Sequence, residues 1–238
     1  MKKITSAASL GLRLTFFYVL VVFGLVGIIQ VTQIWLALQE AHCPSFRELW
    51  DENAEFLGKF GLLWLVVGLY MATADRKGRH TAYTLRRLPI SEGAVTAIWG
   101  LMFAGWFVLY WAFQAGLGLV CYHTWAQKME LQVNLLFVMT HSSAYLHFLL
   151  PLSEPWAVAR NIVMCLCFGG FAALSGTSQR HGRGAPLCVF LLTAFLWIFL
   201  WPNGMASQSS DQALVFLTPV LLLIDTFWTW RCIRDEEN

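Results

Sequence analysis

Long apolar stretches dominate the chain. A helix needs roughly 20 mainly apolar residues to cross the hydrocarbon core of a bilayer. Six stretches qualify: Leu14 to Leu38, Phe56 to Thr73, Ala94 to Cys121, Ala157 to Gly176, Pro186 to Trp201 and Ala213 to Trp230. A seventh, Val133 to Leu152, is apolar but carries Asn134, His141, Ser142, Ser143 and His147. Lysine and arginine decide between six crossings and seven, because basic residues in short loops favour the cytoplasmic side. With six crossings and the N-terminus inside, twelve of the 16 basic residues are cytoplasmic, and only Arg47, Lys59, Lys128 and Arg160 are outside. A seventh crossing would flip every later loop and leave nine against seven. The pattern predicts an all-α polytopic bundle of six transmembrane helices, one transmembrane domain over residues 1–238, with both termini cytoplasmic. The segment 133–152 is then an amphipathic piece on, or dipping into, the outer face between helices three and four.

Composition agrees. Residues of the set AVILMFWYC make up 58% of the chain and charged residues 13%, about half the charge of a typical soluble domain, and mean hydropathy is +0.58. With 16 basic against 14 acidic residues there is no single-sign field, which argues against nucleic acid as a partner. Lys2 and Lys3 before an apolar run resemble a secretory signal, but the run is longer than a signal core and no small-x-small cleavage site follows before Glu40, so it is read as an uncleaved first span. Trp35, Trp50, Trp125, Trp156 and Trp201 fall near the predicted outer boundary, and Trp228 and Trp230 near the inner one, where amphipathic rings settle.

Polar residues within the apolar stretches are the candidate functional groups. An ionisable group inside a span is costly unless paired or wetted. Asp225, about 9 Å above Arg231 along a helix axis, therefore either lines a translocation path and binds a proton, or snorkels to pair with Arg231 or Arg234. Gln30 and Gln33, three apart on one helix face, and Gln114 in the third span either share a polar seam along a path or glue helices together. Small residues four apart, Gly100 with Ala104, Ala112 with Gly116, Gly169 with Ala173 and Ala172 with Gly176, predict close helix packing. The outer loop from Gln39 to Glu55 is acidic, and is either a solvated face or a cation-attracting vestibule.

Other chemistry finds little support. The six cysteines form no CxxC pair, and Cys165 and Cys167 point about 200° apart on a helix, wrong for joint metal ligation. Cys43 and Cys121 would lie near the same face, where a disulfide is open. There is no HExxH, no GxSxG and no GxxxxGK[ST] phosphate loop. No catalytic or metal-binding residues and no cofactor are expected in this chain.

The inner loop Ala74 to Glu92 holds five of the basic residues. Thr81 can start a short helix that Pro89 limits. That helix would carry Tyr83, Leu85 and Leu88 beside Arg86 and Arg87, apolar content that a topology signal alone does not need, on a surface suited to docking another protein. The layout of six spans, the basic inner loop after span two and the run YTLRRLPIS at Tyr83 to Ser91 resemble the permease subunits of bacterial ABC transporters of the type-2 exporter class. The resemblance implies a bacterial cytoplasmic membrane, a second permease chain, and separate P-loop ATPase subunits that bind ATP and Mg. It also implies that Tyr83, Leu85, Arg86, Arg87, Leu88 and Pro89 form a coupling helix seated in the ATPase, and that the cargo is a hydrophobic or amphipathic solute such as a peptide, antibiotic or lipid-like compound. The sequence departs from the family in its outer loops: Pro202 to Gln212, where related exporters place re-entrant helices, is short, and the long outer segment instead follows span three. The competing readings are a proton- or ion-coupled secondary transporter using Asp225, a membrane enzyme using His141 and His147, and a non-transporting membrane anchor.

Overall fold

The computed structural model describes residues 2–39, 45–73, 90–130, 143–151, 154–181, 186, 190–191, 193–194 and 208–237. Among them all regular structure is helical. In chain order these are α1 (Lys2–Gln39), α2 (Phe46–Trp50) running into a π-helical turn (Asp51–Glu55), α3 (Phe56–Thr73), α4 (Glu92–Lys128), α5 (Ala144–Leu149), α6 (Pro155–Arg180) and α7 (Gln208–Glu237). Five of them, α1, α3, α4, α6 and α7, are long and apolar enough to cross a membrane. They match five of the six predicted stretches. Of Pro186 to Trp201, only Pro186, Phe190, Leu191, Thr193 and Ala194 are described, all helical, and the remainder lies outside the described residues. At 1.5 Å per residue, the 38 residues of α1 and 37 of α4 reach about 55 Å, so both helices overshoot a hydrocarbon core of about 30 Å.

Each long helix leaves large apolar side chains outside, and α1 and α7 turn only a narrow stripe inward. On α1 the stripe is Val19, Val22, Val26, Gln30, Ile34 and Leu38, at helical three-four spacing, while Phe17 is 71% and Ile28 67% exposed. In water such a surface would aggregate; in a bilayer it is solvated by lipid chains.

Helix directions follow from cross-helix contacts. Trp99 Nε1 donates to Ala7 O (3.0 Å) and Trp106 Nε1 to Thr15 Oγ1 (3.1 Å), residue numbers rising together, so α1 and α4 are parallel. Gln30 reaches Ala54 O and Gly61 packs on Val26, so α3 runs opposite to α1. Thr96 meets Thr177 (2.8 Å) and Phe107 meets Phe168, so α6 opposes α4. Arg160 binds Asp211 and Gly170 faces Leu222, so α7 runs parallel to α6. Taking the Lys128 end of α4 as the upper end, α6 finishes at the lower end and α7 begins at the upper one.

The α4–α6 crossing is the tightest contact. A Cβ at Gly169 would collide with Gly100 O and Ala104 N and lie 2.8 Å from Ala104 Cα, so only glycine permits this approach. Gly100, Ala104, Gly169 and Ala173 thus meet as their spacing predicts, and Gly176 packs on Thr73 of α3. The fourth pair is a correction: Ala112 is exposed, and a Cβ added at Gly116 would find nothing within 4 Å, because the two lie on the outward face of α4. Around the crossing, Trp99, Phe103, Phe107, Phe168, Phe171 and Phe190 fill the core with no exposure above 1%. Replacing Gly169 by alanine should force α4 and α6 apart and cost about 1–3 kcal/mol. Gly105→Ala, where nothing lies within 4 Å, should change stability by no more than about 1 kcal/mol. Thermal unfolding of both variants in detergent measures the difference.

Candidate functional site

The upper half of the bundle holds a polar core. Gln30 and Gln114, 1% and 0% exposed, exchange a reciprocal pair of amide hydrogen bonds at 3.1 Å. Gln30 Nε2 also donates to Ala54 O (2.8 Å), a carbonyl in the π-helical turn that precedes α3. Gln114 Nε2 donates to Tyr110 OH (3.3 Å), whose own proton goes to Gly58 O (2.7 Å). Gly58 is needed here, since a Cβ would press on Gln114 Oε1, Tyr145 OH and Gln30 Nε2 within 2.7–3.2 Å. Beside this chain of amides, buried Lys59 pairs with Glu55 one turn earlier and sits 5.8 Å from the Tyr145 ring centre. Burial, and then the Glu55 charge, push the Tyr145 phenol above its ordinary value, so it stays protonated. Lys59, Tyr110, Gln114 and Tyr145 border a gap of about 20 Å³, room for about one water.

A short re-entrant helix closes this region from above. α5 begins at Ser143, whose hydroxyl accepts from Leu146 N and donates to Asp51 Oδ1 (2.6 Å). Its C-terminal carbonyls, without partners inside so short a helix, are taken by side chains from two long helices. Trp111 Nε1 of α4 donates to Leu149 O (2.7 Å), and Asn161 Nδ2 of α6 to Phe148 O (2.7 Å). Arg160 completes the clamp: Nη1 binds Asp211 Oδ1 at 2.7 Å, Nε donates to Asn161 Oδ1 (3.2 Å), and the guanidinium lies 4.4 Å from the Phe148 ring centre. Arg160 and Asp211 are 3% and 4% exposed, a buried ion pair joining α6, α7 and α5. On the other flank, Phe46, Trp50, Tyr122 and Trp125 form an aromatic cluster that packs α2 against α4. The described part of segment 133–152, residues 143–151, thus packs into the bundle against α4 and α6.

Between α4 and α6, beside the clamp, an apolar groove of about 290 Å³ is lined by Val108, Trp111, Leu150, Pro151, Val158, Asn161, Ile162 and Cys165. Val108, Val158 and Ile162 are 45%, 42% and 57% exposed, so the groove faces the bilayer sideways.

Of the four residues predicted along a path, Gln30 and Gln114 meet. Gln33 does not join them and is exposed: the inward stripe of α1 continues from Gln30 to Ile34, and a step of three residues leaves the stripe by about 60°. Asp225 is elsewhere, on α7 below the level of Leu222 and Gly170, 8% exposed, with its Oδ2 buried and without a hydrogen-bond partner. At the lower end Glu92 holds His181 (3.1 Å) and Arg180 (3.6 Å) where α4 begins and α6 ends. The predicted coupling residues Tyr83, Leu85, Arg86, Arg87, Leu88 and Pro89 lie outside the described residues, as do Cys43 and His141. Cys121, Cys165 and Cys167 are buried free thiols, and His147 faces Glu154 at 3.6 Å. Sequence reading misses the Arg160–Asp211 pair and the Lys59–Glu55 pair; the i, i+4 spacing of the latter is its one visible signal.

The fold defines a multi-pass helical membrane protein. Compared with known proteins, the chain matches no family model, no curated protein and no solved structure. Removing one partner of the Arg160–Asp211 pair strands a buried charge, so Arg160→Met or Asp211→Leu alone should each cost about 3–5 kcal/mol. The double variant should recover most of that loss in a detergent denaturation series, and a simple sum of the two losses would mean the residues act independently.

Proposed function

We propose that this chain is the membrane-spanning permease subunit of an ATP-driven exporter in a bacterial cytoplasmic membrane, working with a second permease chain and with P-loop ATPase subunits that carry ATP and Mg. The observation that carries this reading is the re-entrant α5, lodged among α3, α4 and α6 and held by side chains of α4 and α6 and by Asp51 of the π-helical turn. A plug of this kind closes one end of a bundle while remaining joined to helices that can move, as an outer gate in alternating access requires. Beneath it, the Gln30, Gln114, Tyr110 and Lys59 core places polar groups inside an apolar bundle, around a gap with room for about one water. The sideways apolar groove of about 290 Å³ favours a hydrophobic or amphipathic cargo that arrives through the lipid phase.

Six crossings with both termini cytoplasmic belong to the same proposal. α6 ends at the lower end of the bundle and α7 starts at the upper end, so the chain must return between Arg180 and Gln208, the interval that holds the predicted span Pro186 to Trp201. In contrast, α4 ends and α6 begins at one end, which supports a segment 133–152 that dips without crossing. The basic loop 74–89 then meets the ATPase beside the Glu92, Arg180 and His181 cluster.

Purification of the tagged chain in mild detergent should bring down a P-loop ATPase in simple stoichiometry, with vanadate-sensitive hydrolysis. Arg86→Glu with Arg87→Glu should lower ATPase recovery about tenfold or more while leaving the helical spectrum unchanged. A chain that purifies alone and does not respond to ATP would defeat the ATP-driven reading.

A further inference from the structure

α7 is built inside out. Its large apolar side chains, Phe216, Leu223, Phe227 and Trp228, are 64–68% exposed, while its buried face carries Asp211, Thr218, Asp225 and Thr229 at 4%, 1%, 8% and 2%. Steps of seven, seven and four residues keep these four on one side of the helix. The parallel register set by Arg160 with Asp211 and Gly170 with Leu222 turns that side towards α6. Asp211 has its cation. Asp225 does not: its Oδ2 is buried with no hydrogen-bond partner, and Thr229 Oγ1, one turn below on the same face, is also buried and unpartnered.

No described cation is placed to neutralise Asp225. On α6, Arg160 is committed to Asp211, about 21 Å higher along the axis. Arg180 is held by Glu92 and Thr177 near the level of Arg231. Cys167 lies about two turns above Asp225. On α4, Glu92 is bound to His181 and Arg180. On α7 itself, Arg231 and Arg234 are exposed. An ionised carboxylate with neither water nor a cation is unfavourable at this depth, whereas a neutral carboxyl is not. As a neutral acid, Asp225 gains a proton to donate, and the Thr229 hydroxyl lies one turn away on the same face.

We propose that Asp225 is a proton-binding site inside the bundle, occupied while α7 is packed on α6 and emptied when that contact opens to water. The proton comes from bulk water at the lower end and returns there, carboxylate plus proton giving carboxyl, with no other reactant. Pro219 sits midway between the Asp211 anchor and Asp225 and removes one hydrogen bond from the helix, which gives the lower half of α7 a point about which to swing. The site does not depend on what drives transport, and its test contains no ATP.

The test is an infrared titration of the full chain in liposomes, from about pH 5 to about pH 9, the range buried carboxyls reach, comparing the unchanged protein with Asp225→Asn and Asp225→Glu. The expected result is a protonated-carboxyl stretch that fades as pH rises, is missing in Asp225→Asn and returns at a shifted frequency in Asp225→Glu. A titrating band indifferent to both substitutions belongs to another carboxyl and overturns the proposal, as does the absence of any such band. Asparagine copies the shape and charge of the protonated acid, so the proposal also requires Asp225→Asn to fold; a helical spectrum lost in that variant would count equally against it.

Discussion

The backbone contact of α4 with α6 at Gly100, Ala104 and Gly169 sets the geometry of everything else in the bundle. Lipid chains are as apolar as leucine, so helices in a membrane gain little by hiding hydrocarbon from their surroundings and are held by close packing and hydrogen bonds instead. α4 offers small residues to α6 on one side, and aromatic and amide groups to α1 and α3 on the other. Because α6 can come no closer and turn no further than Gly169 allows, Asn161 and Arg160, at its upper end, are delivered to the carbonyls of α5. Cys165 and Phe168 likewise fall opposite Phe107 and Trp111, where they border the internal gap.

Polar groups occupy two tiers around that crossing, and the two buried aspartates differ in whether each finds a partner. In the upper tier, the side chains of Gln30, Gln114, Tyr110, Lys59 and Arg160 all find acceptors, so the tier fixes one arrangement of helices. Lower down, the α6–α7 seam leaves oxygens of Asp225 and Thr229 unanswered. A satisfied network resists change; an unsatisfied one marks the place where a proton or a movement of the helix lowers the energy.

The long helices are legible in the sequence because their signal is local: about 20 apolar residues in a row leave few other structures. The small-residue pairs at Gly100 and Gly169 are legible for the same reason, although spacing alone does not separate them from Ala112 and Gly116, whose face is decided by where α6 lies. Gln30 with Gln114 is half legible. Their burial in a common seam follows from type and position, but excluding Gln33 requires knowing that the inward stripe of α1 passes through Ile34. Arg160 and Asp211 stand in the sequence as charges at loop boundaries, since nothing local links residues 51 apart until the register of two helices is known. α5 shows in the sequence only as part of an apolar run with polar interruptions, because six residues anchored by other helices carry too little pattern of their own.

Two kinds of helix contact have consequences for motion. α4 and α6 meet through backbone atoms, where separation loses many short contacts at once and nothing replaces them except lipid. α6 and α7 meet through Arg160–Asp211 at one end, through Leu222 against Gly170 midway, and through a face that also carries hydroxyls and a lone carboxyl. Opening the second interface below Asp211 exposes polar groups that water can solvate, which the backbone contact of the first lacks. Pro219 breaks the hydrogen-bond ladder of α7 below its anchor, so the loosened half can move while Asp211 stays fixed. On the proposal that Asp225 exchanges its proton with water, the lower half of α7 moves while α1, α3, α4 and α6 stay together.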